Sequence, residues 1–108
     1  MPTVQTEGVQ SATITTEHTL ATVTTAANLQ LAVDFVNHAK GDVTEVRKKT
    51  KLTSGDTSQI AWTVTIKNAL GSPNVEFDPA SSPIESVYTL KQTAGTGRSF
   101  IWAVYNLA

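Results

Sequence analysis

The sequence predicts an all-β domain, an antiparallel β-sandwich or small barrel of about seven strands, on three observations. About one residue in six is threonine, and valine is abundant. Both are β-branched and stiff at the first side-chain torsion, which favours strands over helices. Two segments alternate strictly: Leu29, Leu31, Val33 and Phe35 against Gln30, Ala32, Asp34 and Val36, then Ile60, Trp62, Val64 and Ile66 against Ala61, Thr63 and Thr65. Period two is the signature of a strand with one buried face. Turn residues recur at 37–42, 53–57, 68–74 and 93–98, and short strands at such spacing point to a sandwich or barrel. The segment 26–33 resembles a helix only until Val33-Asp34-Phe35-Val36 ends the pattern.

Residues 1–13 are polar with little to bury, and are expected as an extended N-terminal arm; residues 14–108 are expected as a single β domain. His18–Thr24 is an edge strand. Asn37–Asp42 closes the strand over 29–36. From Val43 to Leu52, Glu45, Arg47, Lys49 and Lys51 share a solvated face, while Lys48 falls among Thr44, Val46, Thr50 and Leu52 on the inner one. Thr53–Thr57 is a hairpin turn. Val75–Phe77 is a short strand before Pro79 and Pro83 break the ladder, and Ile84–Gln92 is another strand. Phe100–Leu107 is apolar on both faces, which places it centrally in a sheet or in an interface.

Composition narrows the function classes. Without cysteine there are no disulfides and no thiolate metal or redox sites. The net charge of −1 gives no overall attraction to nucleic acid or an anionic membrane. The first residues lack the basic and apolar regions of a signal peptide, and no apolar run reaches the length of a spanning helix. Neither nucleic acid nor a membrane is an expected partner.

No motif assembles a catalytic site. Ala94-Gly95-Thr96-Gly97-Arg98 leads into a strand, whereas a phosphate cradle opens a helix, so it reads as a hairpin turn with a solvated Arg98. His18 and His38 are the only histidines, too few for a transition-metal site, and His38 suits a hydrogen-bonded turn. Asp34, Asp42, Asp56 and Asp78 are scattered near turns or on outer faces and form no dense calcium loop. The serines lie in no nucleophile elbow. Arg47-Lys48-Lys49-Thr50-Lys51 is the only charge run, and on a strand it splits between two faces. It reads as a solvated face or an edge protected by lysines. Trp62 belongs to the core set, while Trp102 and Tyr105 are candidates for an exposed aromatic surface. The expectation is a protein that is not an enzyme and holds no cofactor.

Two blocks carry a resemblance. Leu31-Ala32-Val33-Asp34, Gly41-Asp42, Glu45-Val46-Arg47 and Lys49-Thr50-Lys51 form the first; Leu90-Lys91-Gln92-Thr93-Ala94-Gly95-Thr96-Gly97-Arg98 with Phe100 and Trp102 forms the second. Over residues 19–107 the chain resembles small β-rich proteins of tailed bacteriophages, departing at Lys48, where an apolar residue is expected. The resemblance implies a viral structural protein, a capsid decoration or cement protein that stabilises a phage head. It implies the major capsid protein as partner, self-association as a homo-oligomer with a trimer favoured, and a place on the virion's capsid surface after assembly in the host cytoplasm. The contact residues expected are Val4, Gln5 and Val9 of the arm with Phe100, Trp102 and Tyr105 of the last strand. Arg47, Lys49, Lys51 and Arg98 are further surface contacts. The alternative is a carbohydrate- or receptor-binding module associated with a tail or head fibre.

Overall fold

The computed structural model describes residues 3–25, 27–51, 53–77, 79–82 and 84–107. Met1, Leu52, Asp78 and Pro83, used in the expectations above, lie outside the described residues. The strands are β1 (Thr3–Ser11), β2 (Glu17–Val23), β3 (Ala27–Asp34), β4 (Val43–Thr50), β5 (Gln59–Lys67), β6 (Asn74–Glu76), β7 (Ala80–Ser82), β8 (Ser86–Ala94) and β9 (Ser99–Asn106). They form two antiparallel sheets. The first runs β1-β9-β3-β6, with β7 also pairing β3; the second runs β2-β8-β4-β5. Because β6 and β7 share one position beside β3, nine strands fill eight places. The chain crosses between sheets at every connection except the β4–β5 hairpin and the short β6–β7 step, which is jelly-roll connectivity.

The first alternating segment builds the interior as its pattern requires, while of the second Trp62, Val64 and Ile66 are partly buried and Ile60 is exposed. Leu29, Leu31 and Val33 of β3, Phe100 and Val104 of β9, Val46 of β4 and Tyr88 and Leu90 of β8 are all buried. They meet between the sheets with Leu20, Val23, Phe35, Phe77 and Trp102 in one core. Trp62 packs against that core, its ring stacked on Phe77 at 5.4 Å.

Three expectations change. The N-terminal arm is instead strand β1, laddered to β9 from Thr3 to Ser11. Its inward residues are Thr6, Gly8 and Gln10, so it holds its place by backbone pairing and carries no apolar periodicity to announce it. The turn at 95–98 is not a hairpin, because β8 and β9 belong to different sheets. And β4 is not an edge strand but lies between β8 and β5.

One end of the sandwich is tied around Asp42. Its carboxylate accepts from Ala39 N–H (2.9 Å), Thr96 N–H (3.1 Å) and Arg98 Nε (2.8 Å), while its carbonyl accepts from Asn68 N–H (2.9 Å). Asn68 takes a positive φ and its side-chain oxygen accepts from Gly41 N–H. His38, buried beside them, places Nδ1 at 2.8 Å from the Asn68 carbonyl and Nε2 at 2.8 Å from Thr44 Oγ1. A carbonyl only accepts, so Nδ1 carries the proton of this bond. The turns after β3, β5 and β8 are thereby joined. Arg98, expected free at the surface, is half of this knot.

Lys48 is a buried charge at odds with its surroundings. It is 3% exposed, as its inward register predicts, and its Nζ lies 5.9 Å from the Tyr88 ring centroid. That cation–π contact offsets only part of the desolvation. Burial pushes the Lys48 ammonium below its ordinary 10.5 and raises the Tyr88 hydroxyl to about 12. Lys48→Met keeps the length and removes the charge, and is expected to stabilise by about 1–2 kcal/mol, raising the melting temperature by roughly 5 °C or more. The folded pKa lies below the unfolded one, so wild-type stability rises with pH between the two. The advantage of Lys48→Met in thermal melts is therefore full at neutral pH and shrinks toward pH 10.5.

Candidate docking face

The outer surface of the first sheet follows from the same alternation. Where Phe100, Trp102 and Val104 point inward, Ile101, Ala103 and Tyr105 point out. The ladder sets Val9 beside Ile101, Glu7 beside Ala103 and Val4 beside Tyr105. On the other side of β9, Gln30 neighbours Tyr105, Ala32 neighbours Ala103 and Asp34 neighbours Ile101. Glu76 and Asn74 of β6 complete the rows against Ala32 and Asp34. The alanine pair leaves a shallow depression of about 440 Å³, lined by Asp34, Asn74, Glu76, Ile101 and Tyr105 among others.

Two properties distinguish this face. Val4, Val9 and Ile101 are three of the five large hydrophobic side chains exposed among the described residues, at 52%, 67% and 59%. And β1, β3, β6, β7 and β9 contain no lysine, arginine or histidine, while Glu7, Asp34 and Glu76 project from the face. Neighbouring apolar side chains rimmed by charges of one sign are the mark of an interaction surface.

The opposite face carries a local network of ion pairs. Glu17 accepts from Arg47 (3.1 Å) and Lys49 (2.9 Å), and Arg47 also reaches Glu45 (3.0 Å). Thr89 Oγ1 donates to Glu17 as well. The Lys49 hydrogen bond leads the effects that hold the Glu17 carboxyl below its ordinary 4.5, against the opposing pull of partial burial. Each exposed pair contributes about 0–1 kcal/mol, so the network organises this face more than it stabilises the fold. Lys51 lies 4.0 Å from Glu85 near the end of β4.

The expected contact residues divide accordingly. Val4, Val9 and Tyr105 lie on the first sheet's outer face. Gln5 is exposed at the β1 irregularity, where its Oε1 accepts from Asn106 Nδ2. Phe100 and Trp102 are core residues, 0% and 8% exposed, and offer no side chain to a partner. Gly8 shows why: a Cβ there would lie 3.1 Å from the Trp102 ring, which tucks under β1. Ile101, within the same last strand, is the most exposed apolar side chain of β9. Among the described residues, no three of His, Asp and Glu gather as a metal would require. No family model, curated protein or solved structure matches the chain.

Proposed function

We propose that this protein is a capsid decoration or cement protein of a phage head, docking through the outer face of the β1-β9-β3-β6 sheet. The carrying observation is the asymmetry of the sandwich: the strands of one sheet expose Val4, Val9 and Ile101 among acidic residues and carry no cation, while the other sheet carries a network of ion pairs. The resemblance of residues 19–107 to tailed-phage proteins supports the same reading. The partner is the major capsid protein, met where it offers arginine or lysine beside apolar surface, and the location is the virion exterior. Burying Val4, Val9, Ile101 and Tyr105 across joints between capsomers stabilises the shell by mass action, since only the assembled shell binds.

Ile101→Glu tests the face directly. The side chain is exposed, so the fold is expected to keep its melting temperature, while affinity for undecorated heads falls at least about tenfold. Unchanged binding would remove the face from the interaction.

A glycan-binding fibre module is the second reading, favoured by Tyr105 beside Asp34, Asn74 and Glu76 in the depression. A sugar would stack on the ring and donate its hydroxyls to the carboxylates. Burial of Trp102 takes away the larger aromatic platform this reading called for. Glycan binding abolished by Tyr105→Ala, with head binding intact, would favour it.

A further inference from the structure

Three of the four sheet edges carry features that discourage another strand. The β6/β7 edge is divided into two three-residue pieces with Pro73 and Pro79 beside them. β2 shifts register between Thr19 and Ala21 and opens with Glu17 and His18. The ladder of β5 shifts opposite Lys48 and Lys49, and β5 ends on Lys67. Short strands, prolines, bulges and charges are the usual protections of an edge. β1 has a register shift between Val4 and Thr6 and a single charge, Glu7. From Thr6 to Ser11 it runs in unbroken register with β9, with no proline or lysine.

The backbone directions along β1 follow from one bond. In an antiparallel ladder, alternate residues exchange both main-chain bonds with the neighbour, and those between turn theirs away. Ala12 N–H donates to the Arg98 carbonyl at 2.8 Å, in the same register. Counting back by twos, Gln10, Gly8 and Thr6 bond to β9. Glu7, Val9 and Ser11 therefore present N–H and C=O groups to the open edge.

We propose that this edge joins two copies of the chain, β1 pairing antiparallel with β1 of the second copy about a two-fold axis at Val9. Val9 is the midpoint of the regular stretch from Thr6 to Ala12, so this axis uses all of it. It sets Val9 against Val9 of the second copy and Glu7 against Ser11 of the second copy. The only charge in β1 then meets a hydroxyl; an axis at Glu7 would oppose like charges, which is destabilising. Val9 and Ile101 of both copies close into one apolar patch. Gln10 Nε2, which donates to the Ser11 carbonyl at 2.9 Å, is displaced by the incoming strand. The axis stands perpendicular to the sheet, so both docking faces point the same way and form a single surface.

Because the chain has no cysteine, each single cysteine variant carries one thiol. Residues facing across a bonded pair have Cα atoms about 5.5 Å apart, within the range of about 4.4–6.8 Å that a disulfide spans. Val9→Cys is expected to form a disulfide-linked dimer under mild oxidation. Glu7→Cys alone stays unlinked, its two copies offset by about 14 Å along the strands, but a mixture of Glu7→Cys and Ser11→Cys links. The unaltered chain is expected to sediment at twice its 11.5 kDa at about 100 μM. A single-chain mass at that concentration would overturn the proposal, as would Glu7→Cys linking as readily as Val9→Cys. No capsid enters these assays, so their failure leaves the docking face standing, and loss of the docking face leaves the dimer standing.

Discussion

Asp42→Ala is expected to destabilise the protein by about 2–4 kcal/mol, measured by denaturant melts at neutral pH. Asp42 is 1% exposed, and its carboxylate serves donors from two separate loops. Removing it leaves the Ala39 and Thr96 N–H groups and the Arg98 guanidinium without this acceptor, and because the Arg98 side chain is 30% exposed, water replaces part of what is lost. Asp42→Asn retains the shape but not the charge opposite Arg98, and is expected to fall between wild type and alanine. The same carboxylate sets an acid limit. Burial alone would raise its pKa, but the Arg98 bond and the two backbone N–H groups outweigh burial and hold it below the ordinary 3.8. A depressed folded pKa stabilises above the unfolded value and loses that contribution as pH falls through the folded one. Wild type should thus lose stability below about pH 4 faster than Asp42→Ala does.

Gly95→Ala is expected to cost a similar amount, about 3 kcal/mol or more, for a different reason. Gly95 has φ +90°, a region that L side chains rarely adopt. A Cβ there would fall on Asp42, 2.0 Å from Oδ1 and 2.8 Å from its Cα. The carboxylate cannot yield without releasing Thr96 and Arg98, so the alanine breaks the knot from the opposite side. Because both changes break one network, the double variant should be clearly less destabilised than the sum of the two. Additive losses in that cycle would mean that the glycine and the aspartate act independently.

The knot shows what the sequence displays and what it hides. Gly41-Asp42 and Gly95–Arg98 are each recognisable as turns. That these turns meet through an Asp42–Arg98 ion pair spans 56 positions of chain, and local pattern carries no such information. Strands with an apolar inner face were readable: β3, β5 and the inward Lys48 follow from alternation, and the central place of β9 from its apolar run. β1 was not, because Thr6, Gly8 and Gln10 give its inner face no hydrophobic period. The docking face was half readable. Val4, Val9 and the last strand were expected as contacts, but an apolar run does not say which of its alternate residues face out, and here those are Ile101, Ala103 and Tyr105. Phe100 and Trp102 were drawn to the surface by composition, whereas alternate register places them inside.

The asymmetry of the two faces also bears on how a dimer would sit. Two sandwiches joined at β1 would present Ile101 and Tyr105 of both copies on one side and the Glu17–Arg47–Lys49 networks on the other. Such a body suits a two-fold or pseudo-two-fold position on a shell, rather than the three-fold position that the trimer expectation would occupy.

The most direct test of the central claim is quantitative mass spectrometry of purified particles, reporting copies of this chain per major capsid protein. The docking account predicts a ratio near one or a simple symmetry fraction of it, falling steeply when the particles are assembled with Ile101→Glu. A handful of copies per particle, or none, would contradict it.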